Sequence, residues 1–481
     1  MSNEKETKVS ALDAKAKALA NEEDEDTKIA KLLKNMPKWR FYSLAVLTVI
    51  WTVFQLYIKL VKPLDPWFQL PLHMCLALVV VWLYNPMVEK SKSHNKLWWI
   101  YDIFLIASSC FICWFFLSHA EQLNYRIFNV DVMTTTEVIV AVLLVINVME
   151  AVRRVVSMSL FWVICFFLAY AWFGQYIPGL FRFSGISFPK LMEVLMYGEN
   201  GIFGSPLVTS LGTLFYFLVF GTFFSNCGGG GVLIDGGMKL SDKTVGGPAK
   251  AAVISSGLLG MVSGSAIANV STTGVLTIPL MKKVGYRPEF AGAVEAVAST
   301  GGQLLPPVMG AAAFVMADLT GIPYSTLIIA AIVPGILYYL SLGVSVYLEA
   351  DKQGLQAESA DKLPQVKKVL KEGWYYALPI IVLIVALLGF GLSANFAALF
   401  SIAVLLVIGF VKEWLTNKRL PFKEVFNALV KASKTTVSVT VACACAGIVI
   451  GIVSMTGIGI KFTSIVFKLS GGHLVLMLLL V

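Results

Sequence analysis

From residue 43 to its last residue the chain returns repeatedly to apolar runs of about 20 residues, the length an α-helix needs to cross roughly 30 Å of hydrocarbon. Such runs lie near 43–62, 68–85, 98–118, 136–150, 157–175, 207–225, 325–349, 374–391, 394–415 and 434–456. With 57% hydrophobic and 14% charged residues among 481, the composition is that of an all-α polytopic membrane protein and excludes a water-soluble domain. Between 246 and 320 the chain stays apolar but is interrupted by Gly and Pro, so spanning helices are expected to break there.

Residues 1–40 are polar, contain "NEEDEDTK" and several lysines, and hold no short apolar run ending in a small-residue cleavage site. They read as a solvated tail. The formal charge of +9 is not a nucleic-acid signature, because the basic residues flank apolar runs, where they act as topology signals. Lys28, Lys31, Lys34, Lys38 and Arg40 precede the first run, Lys90, Lys92 and Lys96 follow the second, and Arg153 and Arg154 follow the fourth. The intervening loops carry fewer, which places the N-terminus in the cytoplasm. The same bias, from Lys352, Lys362, Lys367, Lys368 and Lys371 before the 374–415 pair and Lys418, Arg419, Lys423, Lys431 and Lys434 after it, puts "GLSAN" at an outer turn. The seven cysteines sit in or beside apolar runs and the four histidines are scattered, so neither a metal ligand set nor a redox motif is supported and no cofactor is expected.

Composition divides the chain: a polar tail (1–40), a small scaffold module of about four helices rich in Trp, Phe and Leu (41–156), and a larger module in which glycine accumulates (157–481). The larger module holds a faint repeat. "SNCGGGGVLIDGGMKLS" (225–241) laid over "SMTGIGIKFTSIVFKLS" (454–470) gives six identities in 17 positions, where chance gives about one. Ser225 falls on Ser454, Gly228 on Gly457 and Gly230 on Gly459, at an offset of 229 residues. A second repeat thus starts within 374–481, and the partner of the polar stretch beginning at Gly260 falls near position 489, beyond Val481. Because the chain also stops inside the apolar "LVLMLLLV", the expectation is a sequence incomplete at its C-terminus.

That polar stretch, "GMVSGSAIANVSTTGVLTIPLMKK" (260–283), puts Ser, Asn, Thr and Gly where lipid would otherwise be. Lys282, Lys283 and Arg287 favour the cytoplasmic face, so the simplest geometry is a re-entrant helical hairpin over 260–283 with "SAIANVST" at its tip. Its unpaired backbone groups would each cost several kcal/mol in hydrocarbon, so such a tip must face protein or a wet site. Asn269, Ser271, Thr272 and Thr273 are candidate N-caps for the returning half, whose positive dipole end suits an anion. The competing reading is a helix-packing face, with Gly260, Gly264 and Ala268 at small-xxx-small spacing.

The next stretch, "EAVASTGGQLLPPVMGAAAF" (295–314), reads as a span broken at its centre, within 288–317: Gly301 and Gly302 end one helical run and Pro306 and Pro307 prevent its continuation. A kink between packed helices is the alternative. Acidic residues at membrane depth are functional suspects. Glu295 lies one turn before the break and stands between a structural pair and a coupling role, Asp235 lies in the Gly-rich approach, and Asp102 in "WIYDIFL" reads as interfacial or helix-pairing.

With "SGSAIANVSTTGVLTIPLMKKVGYRPEFAGAVEAVASTGGQLLPPVMGAAAFVMA" in view, the chain resembles the fused membrane subunit of tripartite ATP-independent periplasmic (TRAP) transporters, most of all their TAXI branch. The similarity is dense from about Gly201 to Gly354; the first spans fit the family's small module by arrangement. The resemblance implies an elevator-type secondary transporter of a bacterial inner membrane, with two re-entrant hairpins and two broken helices. It also implies a periplasmic binding protein of TAXI type that delivers a small organic anion, a carboxylate, with uptake driven by a sodium or proton gradient. Carried over residue by residue, the family's substrate and cation site matches Ser263, Gly264, Ser265, Ala268, Asn269, Thr272 and Thr273 in the hairpin. In the broken helix it matches Ser299, Thr300, Gly301, Gly302, Gln303, Pro306 and Pro307. Sodium would fall to Ser263, Gly264, Ser299, Gly301 and Gly302, with Glu295 as the candidate coupling residue. The runner-up is a carboxylate symporter that needs no binding protein; from another class, an ion channel could use a re-entrant loop as its filter. An enzyme is disfavoured, since no His, Cys or carboxylate set assembles a catalytic centre.

Overall fold

The computed structural model describes residues 38–87, 97–240, 245–355, 373–417 and 422–480. The tail up to residue 37 lies outside them, as do Lys90, Lys92, Lys96, Lys362, Lys367, Lys368, Lys371, Lys418 and Arg419. The described residues are helical nearly throughout. In chain order the helices are Lys38–Leu60 (α1), Pro66–Tyr84 (α2), Leu97–Asn124 (α3), Thr135–Ala151 (α4), Met158–Phe173 (α5), Phe188–Tyr197 (α6), Ser205–Asn226 (α7), Gly229–Leu240 (α8) and Gly247–Ser263 (α9). Then come Ala266–Val284 (α10), Pro288–Gly301 (α11), Ala311–Thr320 (α12), Tyr324–Lys352 (α13), Ala377–Ile384 (α14), Ala394–Asn417 (α15), Phe422–Thr456 (α16), Ile458–Ser470 (α17) and Leu474–Leu480 (α18).

Eight of the helices among the described residues are long and apolar enough to cross a membrane. The chain is therefore a multi-pass membrane protein. Two of the ten expected spans are shorter than that. The 136–150 run folds as α4, which a Thr134–Glu137 capping box starts and a π-turn over Val152–Val156 ends, with Ser157 extended. The 374–391 run opens with a 3₁₀ turn at Trp374–Tyr376 and closes with a π-turn at Val385–Gly389 before Gly391 (φ +63°). The first run lies within one continuous α-helix of 17 residues and the second is not continuous α-helix, and in both backbone geometry rather than hydropathy sets the ends.

The described residues form two compact units. One is built around Leu44–Cys227, Gly310–Ile329 and Leu378–Val481, the other around Gly228–Met309 and Ala330–Ala377. The first unit is held together by buried polar contacts as well as apolar packing. Trp51 Nε1 donates to His73 Nδ1 at 3.0 Å. An indole only donates, so the histidine proton sits on Nε2, which is 3.1 Å from Thr440 Oγ1 and donates to it. Thr440 in turn lies 3.0 Å from Ser210 Oγ, so α1, α2, α7 and α16 share one chain of hydrogen bonds. Asp102 on α3 pairs with Arg154 at 2.7 Å and accepts from the Met87 amide at 2.9 Å. It is thus a helix-pairing residue, and Arg154 also meets Glu150 at 2.6 Å and the Asn85 carbonyl at 3.1 Å.

The aligned glycines of the repeat take the same local role. Gly228 (φ +102°) separates α7 from α8, and Gly457 (φ +65°) separates α16 from α17, both in the left-handed region that glycine enters without steric cost.

The Asp102–Arg154 pair is nearly solvent-free, with side-chain exposures of 7% and 1%. Replacing Asp102 by Asn is expected to destabilise the protein by about 3 kcal/mol, since it leaves a buried guanidinium with less compensation. Thermal unfolding in detergent should show a clear drop in Tm; an unchanged Tm would mean that Glu150 alone suffices.

Candidate functional site

The second unit contains a helical hairpin. Its arms are α9 and α10, and its turn is Gly264–Ser265, where Gly264 adopts φ +62° and donates its amide to the Gly260 carbonyl at 2.9 Å. A Cβ at Gly264 would lie 3.0 Å from the carbonyl oxygens of both Val308 and Met309, so the turn is glycine for conformation and for close approach. The hairpin therefore runs over 247–284, not 260–283: the expected range omits most of the incoming arm, whose small residues carry little apolar signal.

The expected N-caps are corrected too. Asn269, Ser271, Thr272 and Thr273 lie inside α10, and Ser265 caps it, its Oγ accepting from the Ala268 amide at 3.4 Å. The chain reverses in a single left-handed residue, so the helix resumes at once. Hydroxyls inside it bond back one turn instead: Ser271 to the Ile267 carbonyl, Thr272 to Ala268 and Thr273 to Asn269, at 2.8, 2.8 and 2.9 Å.

After α11 ends at Gly301, helix does not resume until Ala311. The intervening loop lies on the hairpin turn. Val308 donates its amide to the Met261 carbonyl at 3.0 Å, and Gln303 Nε2 lies 3.5 Å from the Gly264 carbonyl. Pro306–Pro307 is a cis peptide within this loop. Gly260 and Gly302 touch backbone to backbone: a Cβ at Gly302 would be 2.5 Å from the Gly260 Cα. The small-residue face is thus real at Gly260, while Gly264 belongs to the turn.

Beneath the turn, α9, α10 and α11 enclose a polar cage. Glu295 has no exposed surface, and its Oε1 accepts from Ser256 Oγ at 2.7 Å, from Ser299 Oγ at 3.2 Å and from Thr273 Oγ1. Thr277 Oγ1 contacts its Oε2 at 2.5 Å. Asn269 donates Nδ2 to the Ser256 carbonyl at 2.7 Å, while its Oδ1 is buried with no donor. A core of Ala249, Ala252, Val253, Met281, Ala291, Val294 and Ala298 packs the three helices closely enough for these short side chains to meet.

The structure thus brings Asn269, Thr273, Ser299 and Glu295 into one cage, and Gly264, Gln303, Pro306 and Pro307 to the turn and the loop lying on it. Ser263, Ser265, Ala268 and Thr272 are half-buried near the turn. Thr300 stands apart: it is exposed and bonds to the Ala296 carbonyl at 2.8 Å. Gly301 faces the rings of Tyr338 and Tyr339 rather than the hairpin. Two cage residues, Ser256 and Thr277, were not among the expected site residues. Their signal was spacing: Ser256 precedes Gly260 by four, and Thr277 follows Asn269 and Thr273 at the same interval, which keeps each set on one helix face.

A sequence model of the family described as "Tripartite ATP-independent periplasmic transporter, DctM component" matches residues 143–481, more than half of the chain. The C4-dicarboxylate TRAP transporter large permease protein DctM of Pseudomonas aeruginosa is 32% identical over 33% of this chain and 35% of its own length. Its namesake from Vibrio cholerae is 30% identical over 35% of this chain and 37% of its own. The sialic acid TRAP transporter permease protein SiaT of Haemophilus influenzae is 27% identical over 36% of this chain and 27% of its own. The matched stretches thus span about a third of the length of these relatives, between 27% and 37%.

The Gly260–Gly302 contact leaves no room for a methyl group. Gly302→Ala is expected to push the loop off the hairpin at a cost of about 1–3 kcal/mol. A lowered Tm together with faster proteolysis in the 302–310 loop would register it; wild-type values for both would show that the contact tolerates a side chain.

Proposed function

Because the chain belongs to the DctM component family of TRAP transporters, we propose that it performs secondary active uptake of a small organic anion of the carboxylate class across a bacterial inner membrane. The observation that supports this most is the hairpin turn at Gly264 covered by the interrupted backbone of 302–310. That arrangement sets the N-terminus of α10, with its partial positive charge, beside carbonyls freed from helical bonding. An anion and a cation are both served there. Two of the relatives are named for C4-dicarboxylates and one for sialic acid, which favours a carboxylate solute.

In this reading a periplasmic binding protein of TAXI type hands the solute to the membrane component, and a sodium or proton gradient drives the cycle. Ser263, Gly264, Ser299 and Gly302 are the candidate sodium ligands; Ser265, Ala268, Asn269, Thr272, Thr273, Gln303, Pro306 and Pro307 complete the proposed solute and cation site, from which Thr300 and Gly301 are turned away. An elevator movement of the hairpin-bearing part, an N-terminus in the cytoplasm and fusion of a small module ahead of the large one belong to the same proposal. They rest on the likeness to the TAXI branch and on the distribution of basic residues.

Reconstitution of the full chain in proteoliposomes with its binding protein, under sodium and proton gradients imposed separately, tests this. Uptake that requires a carboxylate solute and one of the two gradients is expected; uptake indifferent to both would remove the secondary-transport reading. Asn269→Ala should lower the initial rate about tenfold, the equivalent of one buried hydrogen bond of roughly 1.4 kcal/mol, at wild-type expression. An unaltered rate would take Asn269 out of the site.

A further inference from the structure

Helix α11 ends inside the second unit, where its last carbonyls need donors from elsewhere. The final four carbonyls of a helix have none within it; in α11 these belong to Ala298, Ser299, Thr300 and Gly301. The loop serves two of them, the Gln303 amide donating to Thr300 at 3.1 Å and the Leu304 amide to Gly301 at 2.9 Å. Ala298 is passed over, because the Gly302 amide, which a continuing helix would aim at that carbonyl, turns to Thr300 as well. The donor for Ala298 comes from another helix: Tyr339 on α13 reaches the carbonyl with its hydroxyl at 2.6 Å.

The ring behind that hydroxyl lies across two helices. A Cβ at Gly257 on α9 would stand 3.0 Å from Tyr339 Cε1, and one at Gly301 on α11 would stand 3.0 Å from Tyr339 Cζ. Glycine at both positions makes the room, so one side chain of α13 touches an arm of the hairpin and the end of the broken helix together. Gly335, one turn earlier on the same face of α13, meets the loop: a Cβ there would be 2.9 Å from Leu305 Cδ2 and 3.4 Å from the Leu304 carbonyl oxygen. Tyr338 makes a similar bond with a different consequence. Its hydroxyl donates at 2.9 Å to the Val297 carbonyl, which stands one residue before the orphan four and has its helical donor at Gly301.

We propose that Tyr339 is a positioning residue of the solute and cation site: it holds the last turn of α11 against α9 and thereby fixes where the 302–310 loop begins. This deepens the transport reading above and rests on it for the role of the site. Ser299 and Gly302, two of the candidate ligands, lie one and four residues beyond the carbonyl that Tyr339 holds, so their place relative to the Gly264 turn follows from that bond. Ala298 has no exposed surface, so without the hydroxyl its carbonyl has neither water nor, among the described residues, another donor. The last turn of α11 then has to shift to find one, and the loop shifts with it. Tyr338, whose acceptor is already served within the helix, carries no such duty.

Hydrogen exchange of the purified full chain in lipid vesicles reads the position of the loop without any transport. Tyr339→Phe keeps the ring and removes the donor, so the bonded amides of Gln303, Leu304 and Val308 should exchange about tenfold faster than in the wild type, the effect of one buried hydrogen bond. Amides of α1 and α2 should keep their rates, and Tyr338→Phe should leave the loop unchanged. Wild-type loop rates in Tyr339→Phe, equal acceleration in Tyr338→Phe, or acceleration that spreads to α1 and α2 as a general loss of stability would each overturn the proposal. In proteoliposomes with the binding protein and both gradients imposed, with succinate and sialic acid as probes, Tyr339→Phe should raise the half-saturating concentration about fivefold and leave the maximal rate within about twofold. A fall in maximal rate at unchanged half-saturation also overturns it. Wild-type vesicles that move neither probe while the loop responds would sink the transport reading for those carboxylates alone, and uptake with an unresponsive loop would sink the positioning role alone.

Discussion

The bond from the Val308 amide to the Met261 carbonyl, 3.0 Å long, joins two stretches of backbone that could not each stand in a membrane by themselves. Met261 lies in the last turn of α9, where carbonyls have no intrahelical donor, and Val308 lies in a loop that has left helical geometry altogether. In hydrocarbon each orphan would cost several kcal/mol. Laid together, they satisfy one another, and much of the rest of this unit follows from the need to bring them close. Gly260 and Gly302 are glycines because the two backbones meet there, and Gly264 is a glycine because its turn sits under the carbonyls of Val308 and Met309.

Close approach has a second effect. Helices α9 and α11 pack through Ala249, Ala252, Ala291 and Ala298, and α10 brings Gly274 against Glu295, so that Ser and Thr, with one-atom reach beyond Cβ, still converge on a single carboxylate. Larger core residues would hold the helices apart and leave Glu295 without partners. The small-residue composition that looks like a weak helix signal is therefore the condition for a polar cage in an otherwise apolar unit.

Much of this was legible in the sequence. Apolar runs gave most of the spans, because hydropathy and length are what a bilayer selects. The Gly301–Gly302 and Pro306–Pro307 pairs marked the break, since neither pair is compatible with continuous helix. The turn was harder: "SGSAIANVST" offers several capping residues in a row, and only the left-handed conformation of Gly264, set by its close packing, selects Ser265. Ser256 and Thr277 were missed because an isolated hydroxyl in a helix looks like any other until the partner helix is known. Thr300 was assigned by likeness to a motif, yet one step of 100° around a helix separates it from Ser299 and turns it outward.

The cage also bears on how such a site is reached. Six polar residues, Ser256, Asn269, Thr273, Thr277, Glu295 and Ser299, have no exposed surface, so nothing enters while the three helices stay together. A pore with a standing water column would leave these groups wet. α9 and α10 are tied to each other by the Gly264–Ser265 turn, by Asn269 Nδ2 donating to the Ser256 carbonyl and by the Ser256–Thr273 hydroxyl contact, and the seam between this hairpin and α11 is bridged by the hydroxyls of Ser256, Thr273 and Thr277 on Glu295. Opening that seam toward lipid would strand Glu295 and the freed backbone in hydrocarbon, a cost of several kcal/mol for each group. Opening it toward water costs far less, since solvent replaces each lost partner. Parting the hairpin from α11 is therefore cheap only where water can reach the cage.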